Sequence, residues 1–206
     1  HLLLHEVRAI EMRLPVALHP FVPRTALELG ASLFPWRARP GVAIEIVRRV
    51  AELGAAANLT RELAPSDVLE HLARTTGLSP TLISLDAPLD ADDVEEAFAA
   101  RVIGQPRATR AAADVILKVR AGLADPNRPI HVMLFTGPTG TGKTELARAL
   151  ARYLYGDADR LLRLDMGEYN SPDAAARLVG DRWTPDGVLT RAVLAQPFCV
   201  VLLDEI

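Results

Sequence analysis

The sequence has little of several residue types, and each shortage excludes a class of protein. A single cysteine, Cys199, excludes a disulfide framework within the chain of 206 residues. No apolar run approaches the length of a bilayer span. The net charge is −3 with both signs interspersed, which leaves no broad basic face for nucleic acid and no polybasic patch for a lipid surface. We therefore expect neither a nucleic-acid partner nor a membrane partner.

Half of the residues are apolar, which is enough for one or two buried cores and excludes a disordered or collagen-like chain.

Lysine is also scarce, and its placement is informative. Only two of the 23 lysines and arginines are lysine, Lys118 and Lys143. Lys143 lies in a glycine-rich motif, where a compact ammonium fits among backbone amides and a broad guanidinium does not. Cys199 lies inside an apolar run, which favours a buried apolar residue over a nucleophile.

The motif around Lys143 matches the phosphate-binding pattern GxxxxGK[ST] at every fixed position. Its residues are Gly137, Pro138, Thr139, Gly140, Thr141, Gly142, Lys143 and Thr144. The apolar residues 131–135 before it predict a strand, and the residues after it predict a helix. Glycines let successive N–H groups face a polyphosphate, and the helix start adds the positive end of its dipole. The pattern assigns Lys143 to the terminal phosphates and the Thr144 hydroxyl to Mg²⁺.

A second apolar run, residues 198–203, ends in Asp204 and Glu205. An uninterrupted apolar run is typical of a parallel strand buried on both faces. In ATPases with such a loop, the first acid holds Mg²⁺ and the second polarises the attacking water. We therefore predict that Asp204 and Thr144 bind the metal, that Glu205 and Lys143 are catalytic, and that the cofactors are ATP and Mg²⁺.

Other patterns place helices, strands and loops along the chain. Residues 42–57 carry an apolar stripe that predicts an amphipathic helix. Its members, which we expect to be buried in the core, are Ala43, Ile46, Val47, Val50 and Leu53. Residues 78–88, with two prolines, predict an extended linker, and Asp90 predicts a helix cap. Pro106 begins a long helix that we expect to end at Gly122. Residues 161–165 predict a strand, and the helix 188–196 leads to the acid-ending strand, so strands and helices alternate as in a parallel α/β sheet.

Several segments after residue 100 resemble one family, the second ATPase module of the Clp-type AAA+ chaperones. They are RVIGQ at 101–105, RAGL at 120–123, DPNRPI at 125–130, LDM at 164–166 with Glu168 and Tyr169, and VVLLDEI at 200–206. More weakly, PGVAIEI at 40–46 and TTGL at 75–78 are similar to the lid of the first module and the joining segment. The resemblance implies an α/β P-loop NTPase fold of the AAA+ type, incomplete at its C-terminus and preceded by a small helical lid-like region. It divides the chain into a lid-like region at 1–57, a connecting segment at 58–100 and the P-loop ATPase domain at 101–206.

The same resemblance implies a function. Members of this family form hexamers that hydrolyse ATP to pull protein chains through a central pore, so protein substrates and a homo-hexamer are expected. By the resemblance, Val102 and Ile103 sit against the adenine. ATP dependence and the absence of paired cysteines predict a cytoplasmic location. The interval 181–187 lacks the usual pore-loop tyrosine, and Trp183 is either an ordinary loop tryptophan or an aromatic substitute for it.

Two alternatives stay open at this stage. One is a degenerate module that binds ATP only to hold an assembly together, favoured by the altered interval 181–187. The other is a different P-loop ATPase that does not act on proteins, such as a helicase loader or a small-molecule kinase. Because the sequence starts at His1 and stops two residues after Asp204, we also expect a piece of a longer protein that hydrolyses no ATP by itself.

Overall fold

A computed structural model describes residues 2–84, 88–121, 128–183 and 185–206. Within these ranges the helices are α1 (Leu2–Arg13), α2 (Val22–Leu33), α3 (Gly41–Ala56), α4 (Pro65–Thr76), α5 (Pro80–Ile83), α6 (Ala91–Ala99), α7 (Pro106–Arg120), α8 (Lys143–Tyr155), α9 (Ala174–Val179) and α10 (Val188–Ala195). The strands are β1 (Leu161–Asp165) and β2 (Val200–Asp204). Among the described helices, none combines the length and the apolar character that crossing a membrane requires.

The chain divides into two compact units. The helical unit contains the described parts of 1–75, 80–87 and 118–132, and the strand unit contains those of 76–79, 88–117 and 133–206. The functional boundaries at residues 57 and 100 stay a prediction.

The helical unit is built around α3, as the apolar stripe predicted. Four of the five stripe residues are buried, and α2 packs closely on them at Gly30, where a Cβ atom would lie 3.1 Å from Ile46 Cδ1. The prediction that Leu53 is buried is wrong, because Leu53 is 38% exposed and lines a cleft together with Ala57 and Leu59. The stripe therefore identifies the core face but not its margin.

Residues 78–88 contain a helical turn in place of the predicted extended linker. Helix α5 starts at Pro80, where the missing N–H of proline has no helical partner to lose, and it buries Leu82 and Ile83. Burial of this apolar pair stabilises the turn. Gly122, the predicted end of α7, lies outside the described residues, and the described part of that helix ends at Arg120.

The strand unit packs α8 against a parallel pair of strands. Strands β1 and β2 align Leu161 with Val200 at one end and Asp165 with Asp204 at the other. The pairing confirms a parallel sheet and places Asp165 and Asp204 at the carboxyl edge of the strands.

The predicted cap at Asp90 is also confirmed, since its side chain accepts a hydrogen bond from the Asp92 N–H at 2.9 Å.

Two expectations about the strands are wrong. Residues 131–135 form no strand, and Val132 and Leu134 are 78% and 79% exposed. A strand exists only where a neighbour completes its hydrogen-bond ladder, and in the described chain β1 and β2 pair with each other. Strand β2 is less buried than its apolar run suggested, because the described helices leave Val201 and Leu203 38% and 40% exposed.

Candidate functional site

The glycine-rich loop turns directly into α8. Gly140 and Gly142 have φ angles of 85° and 91°, in the left-handed region that residues with a Cβ atom rarely adopt. Gly142 also has Val102 beside it, because a Cβ atom built on Gly142 would lie 3.2 Å from Val102 Cγ1. The glycines of the pattern are therefore required by the backbone path and, at Gly142, by the space left beside a buried valine.

The start of α8 offers backbone donors to an anion. No side chain caps this helix, whose first residue is Lys143, so its first amide groups have no side-chain acceptor. The loop residues 136–140 are exposed, which leaves these donors accessible. An uncapped helix start behind a left-handed glycine loop has the chemistry of a phosphate-binding site.

The Lys143 side chain is directed towards the glycine-rich loop. Its Nζ atom donates to the carbonyl oxygens of Gly137 at 2.9 Å and Pro138 at 2.8 Å, while the Thr141 hydroxyl donates to the Pro138 carbonyl at 3.0 Å. These contacts hold the ammonium over the loop that the sequence pattern predicted it would serve. Phosphate oxygens are stronger acceptors for a lysine than carbonyl groups, so a polyphosphate could replace them.

The acids lie at the end of the strand pair. Asp204 ends β2 and is paired with Arg163 of β1, with 2.7 Å between Arg163 Nη2 and Asp204 Oδ2. Asp165, directly across the ladder from Asp204, turns its Oδ1 atom to accept the Gly167 N–H at 2.9 Å. Glu205 has a φ angle of 57°, and its Oε2 atom lies 3.9 Å from the position of a Cβ atom on Gly167. Three carboxylates therefore share one edge of the sheet.

The structure brings some predicted site residues together and keeps others apart. Helix α8 packs against both strands, which ties the loop to the acid-bearing edge. Lys143 and Asp204 nevertheless have different partners, the loop carbonyls and Arg163. Val102 lies against the loop and is 5% exposed, whereas its neighbour Ile103 is 87% exposed.

A cation would find few protein ligands at this edge. In the described ranges, no group of three or more His, Cys, Asp or Glu side chains is arranged to hold a metal ion. Mg²⁺ suits such a site, because it keeps several waters and is usually bound by one or two carboxylates together with substrate phosphates. The half-buried Thr144 hydroxyl and the Asp204 carboxylate are compatible with that kind of coordination.

Cys199 and Trp183 are two further residues, outside the motifs, for which the sequence suggested a role to test. Cys199 is half-buried, and burial raises the pKa of its thiol, so the residue stays protonated as expected of a residue that is not a nucleophile. Trp183 is 86% exposed within the interval 181–187, of which Thr184 lies outside the described residues. A gripping role for Trp183 stays a prediction.

Sequence reasoning missed the contribution of β1 to the acid edge. Arg163 pairs with Asp204, and Asp165 holds the turn beside Glu205. The available signal was the order LLRLD at 161–165, in which a charged residue interrupts an apolar strand two positions before an acid. Alternation places Arg163 and Asp165 on the same face of the strand.

Comparisons with known proteins agree with this geometry. A family model for the AAA domain (Cdc48 subfamily) matches residues 128–206. Chaperone protein ClpB 1 of Thermosynechococcus vestitus is 39% identical over 163 residues, covering 77% of this chain and 19% of the relative. The structure of the S. cerevisiae Hsp104:casein complex, extended conformation, has a TM-score of 0.73 and 28% identity, covering 97% of this chain and 36% of that chain. For the S. cerevisiae Hsp104-ADP complex the TM-score is 0.75 and the identity 29%, covering 97% and 35%.

The phosphate-type loop, the helix that it starts and the parallel strands ending in acids define a P-loop α/β domain, as predicted. Residues 128–206 match the AAA domain, and the chain is similar to the Clp-type AAA+ ATPases, a class of proteins that use nucleotide. It spans between 19% and 36% of the length of the relatives described above.

Proposed function

We propose that the whole protein binds ATP with Mg²⁺ at the loop 137–144 and hydrolyses it to unfold or disaggregate other proteins. One observation carries the proposal: the uncapped start of α8 follows two left-handed glycines, and the same helix packs on the strand pair that ends in Asp204. A phosphate-binding nest next to carboxylates is the arrangement that phosphoryl transfer from a nucleotide needs.

The loop residues bind and orient the phosphates in this proposal. Amide groups of residues 137 and 139–142 and of the first turn of α8 donate to phosphate oxygens, and Lys143 moves its donors from two carbonyls to the terminal phosphates. Val102 and Ile103 contact the adenine, Val102 from its buried position beside Gly142. Orientation of the phosphate chain contributes to catalysis because attack and departure must be nearly in line.

The acid edge supplies the remaining chemistry. Thr144 and Asp204 would hold Mg²⁺, which neutralises phosphate charge when it is bound. Glu205 accepts a proton from the attacking water as the new bond to the terminal phosphorus forms and the bond to the bridging oxygen breaks. The products are ADP and inorganic phosphate.

Protein substrates and assembly extend the proposal to the whole protein. The Hsp104 structure matched above is a complex with casein, which favours an unfolded polypeptide as the substrate class. We further propose a homo-hexamer, because the family resemblance implies a ring, and we keep a cytoplasmic location as a prediction. ATP-dependent change of the mass of the full-length protein, measured by light scattering, tests the assembly.

The decisive test changes Glu205 to glutamine in the full-length protein. The amide keeps the shape of the side chain but removes its ability to accept a proton, so ATP affinity should stay within about twofold of wild type while turnover falls by about 100-fold or more. Glu96→Gln is the matched control, because Glu96 is an exposed carboxylate on α6 in the same unit. Equal turnover in the Glu205 variant and the control would contradict the assigned role.

The same assay separates the two alternatives. ATPase activity is measured with unfolded casein, with double-stranded DNA and with neither addition. Stimulation by casein supports the proposal, and stimulation by DNA alone would favour a different P-loop ATPase. Tight ATP binding without turnover in the wild-type protein would instead identify a degenerate module that uses nucleotide only for assembly.

A further inference from the structure

Arg163 occupies an unusual position for a charged residue. It is the third residue of β1, and its guanidinium contacts Asp204 at the end of β2. In the ladder, Arg163 pairs with Leu202, so Asp204 lies two positions further along the neighbouring strand and on the same face. The side chains of Arg163 and Asp204 are 55% and 24% exposed. The contact is therefore a diagonal pair between neighbouring strands at the edge of the proposed site.

The charges around Asp204 explain why a cation is needed there. Asp165 stands directly across the ladder, and two carboxylates on adjacent strands and one face repel each other. Asp165 is held by the Gly167 N–H, which fixes it at the turn after β1. Arg163 offsets the repulsion through its guanidinium, whose Nη2 atom lies 2.7 Å from Oδ2 of Asp204.

We propose that Arg163 is a positioning residue for metal-nucleotide binding: it fixes the Asp204 carboxylate by Oδ2 so that Oδ1 is presented to Mg²⁺. The proposal rests on the function proposed above, in which Asp204 holds the metal. A carboxylate with one oxygen already held loses less side-chain freedom when a second partner binds. Arg163 itself contacts neither the nucleotide nor the reacting atoms in this proposal and acts through Asp204.

If Arg163 instead competes with the metal for Asp204, removing Arg163 would change Mg²⁺ binding in the opposite direction. A guanidinium that merely occupies Asp204 has to be displaced by the metal, and its removal would strengthen Mg²⁺ binding. The geometry favours positioning, because the contact lacks the two parallel hydrogen bonds with which Arg61 holds both carboxylate oxygens of Asp67. The two readings are therefore separated by the direction of one measured change.

The experiment measures how strongly Mg²⁺ tightens ADP binding to the full-length protein. The affinity for a fluorescent ADP analogue is determined with Mg²⁺ and with a chelator, and the ratio of the two dissociation constants is compared among variants. In Arg163→Ala the ratio should fall by about two- to fivefold, the scale of a partly exposed ion pair, while the affinity with the chelator stays unchanged. Arg163→Lys, which keeps the charge, should recover part of the ratio.

Two controls make the result specific. Arg110→Ala removes a pair of similar kind, since Arg110 Nε lies 3.0 Å from Glu95 and the Glu95 side chain is 23% exposed, and it should leave the ratio unchanged. In an Asp204→Asn background, Arg163→Ala should have no further effect on the ratio, because its partner is already neutral. If Arg163→Ala fails to fold, Arg163→Gln supplies the same comparison.

The outcomes are distinguishable from failure of the proposed function. A wild-type protein that binds no ADP, or binds it equally well without Mg²⁺, overturns the proposed function and this inference together. A normal wild-type ratio that Arg163→Ala leaves unchanged overturns the inference alone. A ratio that rises in Arg163→Ala overturns it in favour of competition, and an undiminished effect in the Asp204→Asn background shows that Arg163 does not act through Asp204.

Discussion

Gly77 lies where a loop segment of the strand unit is fastened by one arginine. Arg160 donates to the carbonyl oxygens of Thr76 and Phe198, both at 3.2 Å, and its guanidinium lies 5.8 Å from the centre of the Tyr155 ring. Gly77 passes over this guanidinium with a φ angle of 75°. Both the backbone angle and the lack of a side chain are therefore required, and we expect Gly77→Ala to loosen the segment 76–79.

The magnitude follows from two separate effects. A Cβ atom on residue 77 would lie 2.5 Å from Arg160 Nη2, too close for a contact, so the guanidinium has to move. The left-handed backbone then costs a non-glycine residue about 1–2 kcal/mol, and loss of the hydrogen bonds to a charged donor costs about 1.5–3 kcal/mol. Gly77→Ala should therefore destabilise this part of the strand unit by about 2.5–5 kcal/mol.

Hydrogen exchange measured by mass spectrometry reads this effect locally. The Ser79 N–H donates to the Leu154 carbonyl at 2.9 Å, so its exchange reports whether the segment stays fastened to the end of α8. Since about 1.4 kcal/mol corresponds to a factor of ten, exchange at Ser79 should accelerate by about two orders of magnitude or more. Local exchange suits a chain of two units better than a single midpoint of unfolding.

Gly156 provides the matched control. Its φ angle is 71°, but a Cβ atom there would meet nothing within 4 Å. Gly156→Ala should therefore show the backbone cost of about 1–2 kcal/mol alone. In an Arg160→Ala background, Gly77→Ala should likewise cost only that amount, because the guanidinium is gone. Equal effects of Gly77→Ala in the presence and absence of Arg160 would refute the reasoning.

Two further predictions concern pH. Burial raises the pKa of the Tyr155 phenol above its ordinary value of 10.0, so the stability that this neutral group contributes is present below about pH 10 and is lost as the pH rises further. Denaturation midpoints from about pH 8 to about pH 11 should fall less steeply for Tyr155→Phe than for wild type. Hydrogen bonding to Arg61 holds the pKa of Asp67 below its ordinary value of 3.8, so its contribution is present above that pH and is lost as the pH falls through the lowered pKa. The stability difference between wild type and Asp67→Asn should therefore be largest at neutral pH and shrink in acid, and a constant difference would contradict this.

Motifs with strict spacing predicted the backbone of the glycine-rich loop better than apolar patterns predicted its surroundings. The loop needs left-handed glycines and a lysine at the helix start, and only a few residue types satisfy those requirements, so the sequence alone identifies Gly140, Gly142 and Lys143. The strand at 131–135 failed for the opposite reason. Apolar residues permit a strand there, but a ladder requires a neighbour that no local pattern specifies.

Arg163 shows the same limit within the site. Its partner Asp204 lies far along the sequence, and their contact depends on the register of β1 against β2, which side-chain alternation suggests but does not fix. The short helix α5 shows the limit of the proline pattern, since two prolines in residues 78–88 predict an extended segment. Proline disfavours a helix interior but is well placed at a helix start, which is its position in α5.

The pairing of the site charges has a consequence for how nucleotide binding is driven. Lys143 donates to two backbone carbonyls and Asp204 contacts a guanidinium, so in the proposed function a magnesium-bound polyphosphate would exchange existing partners for new ones. The lysine gains by this exchange, because charged phosphate oxygens are better acceptors than carbonyls. Asp204 gains only if it keeps Arg163 while it binds the metal, since giving up one cation for another leaves little net attraction. In the proposed function, the loop would therefore supply affinity for phosphate, and the strand pair would determine how much the metal adds.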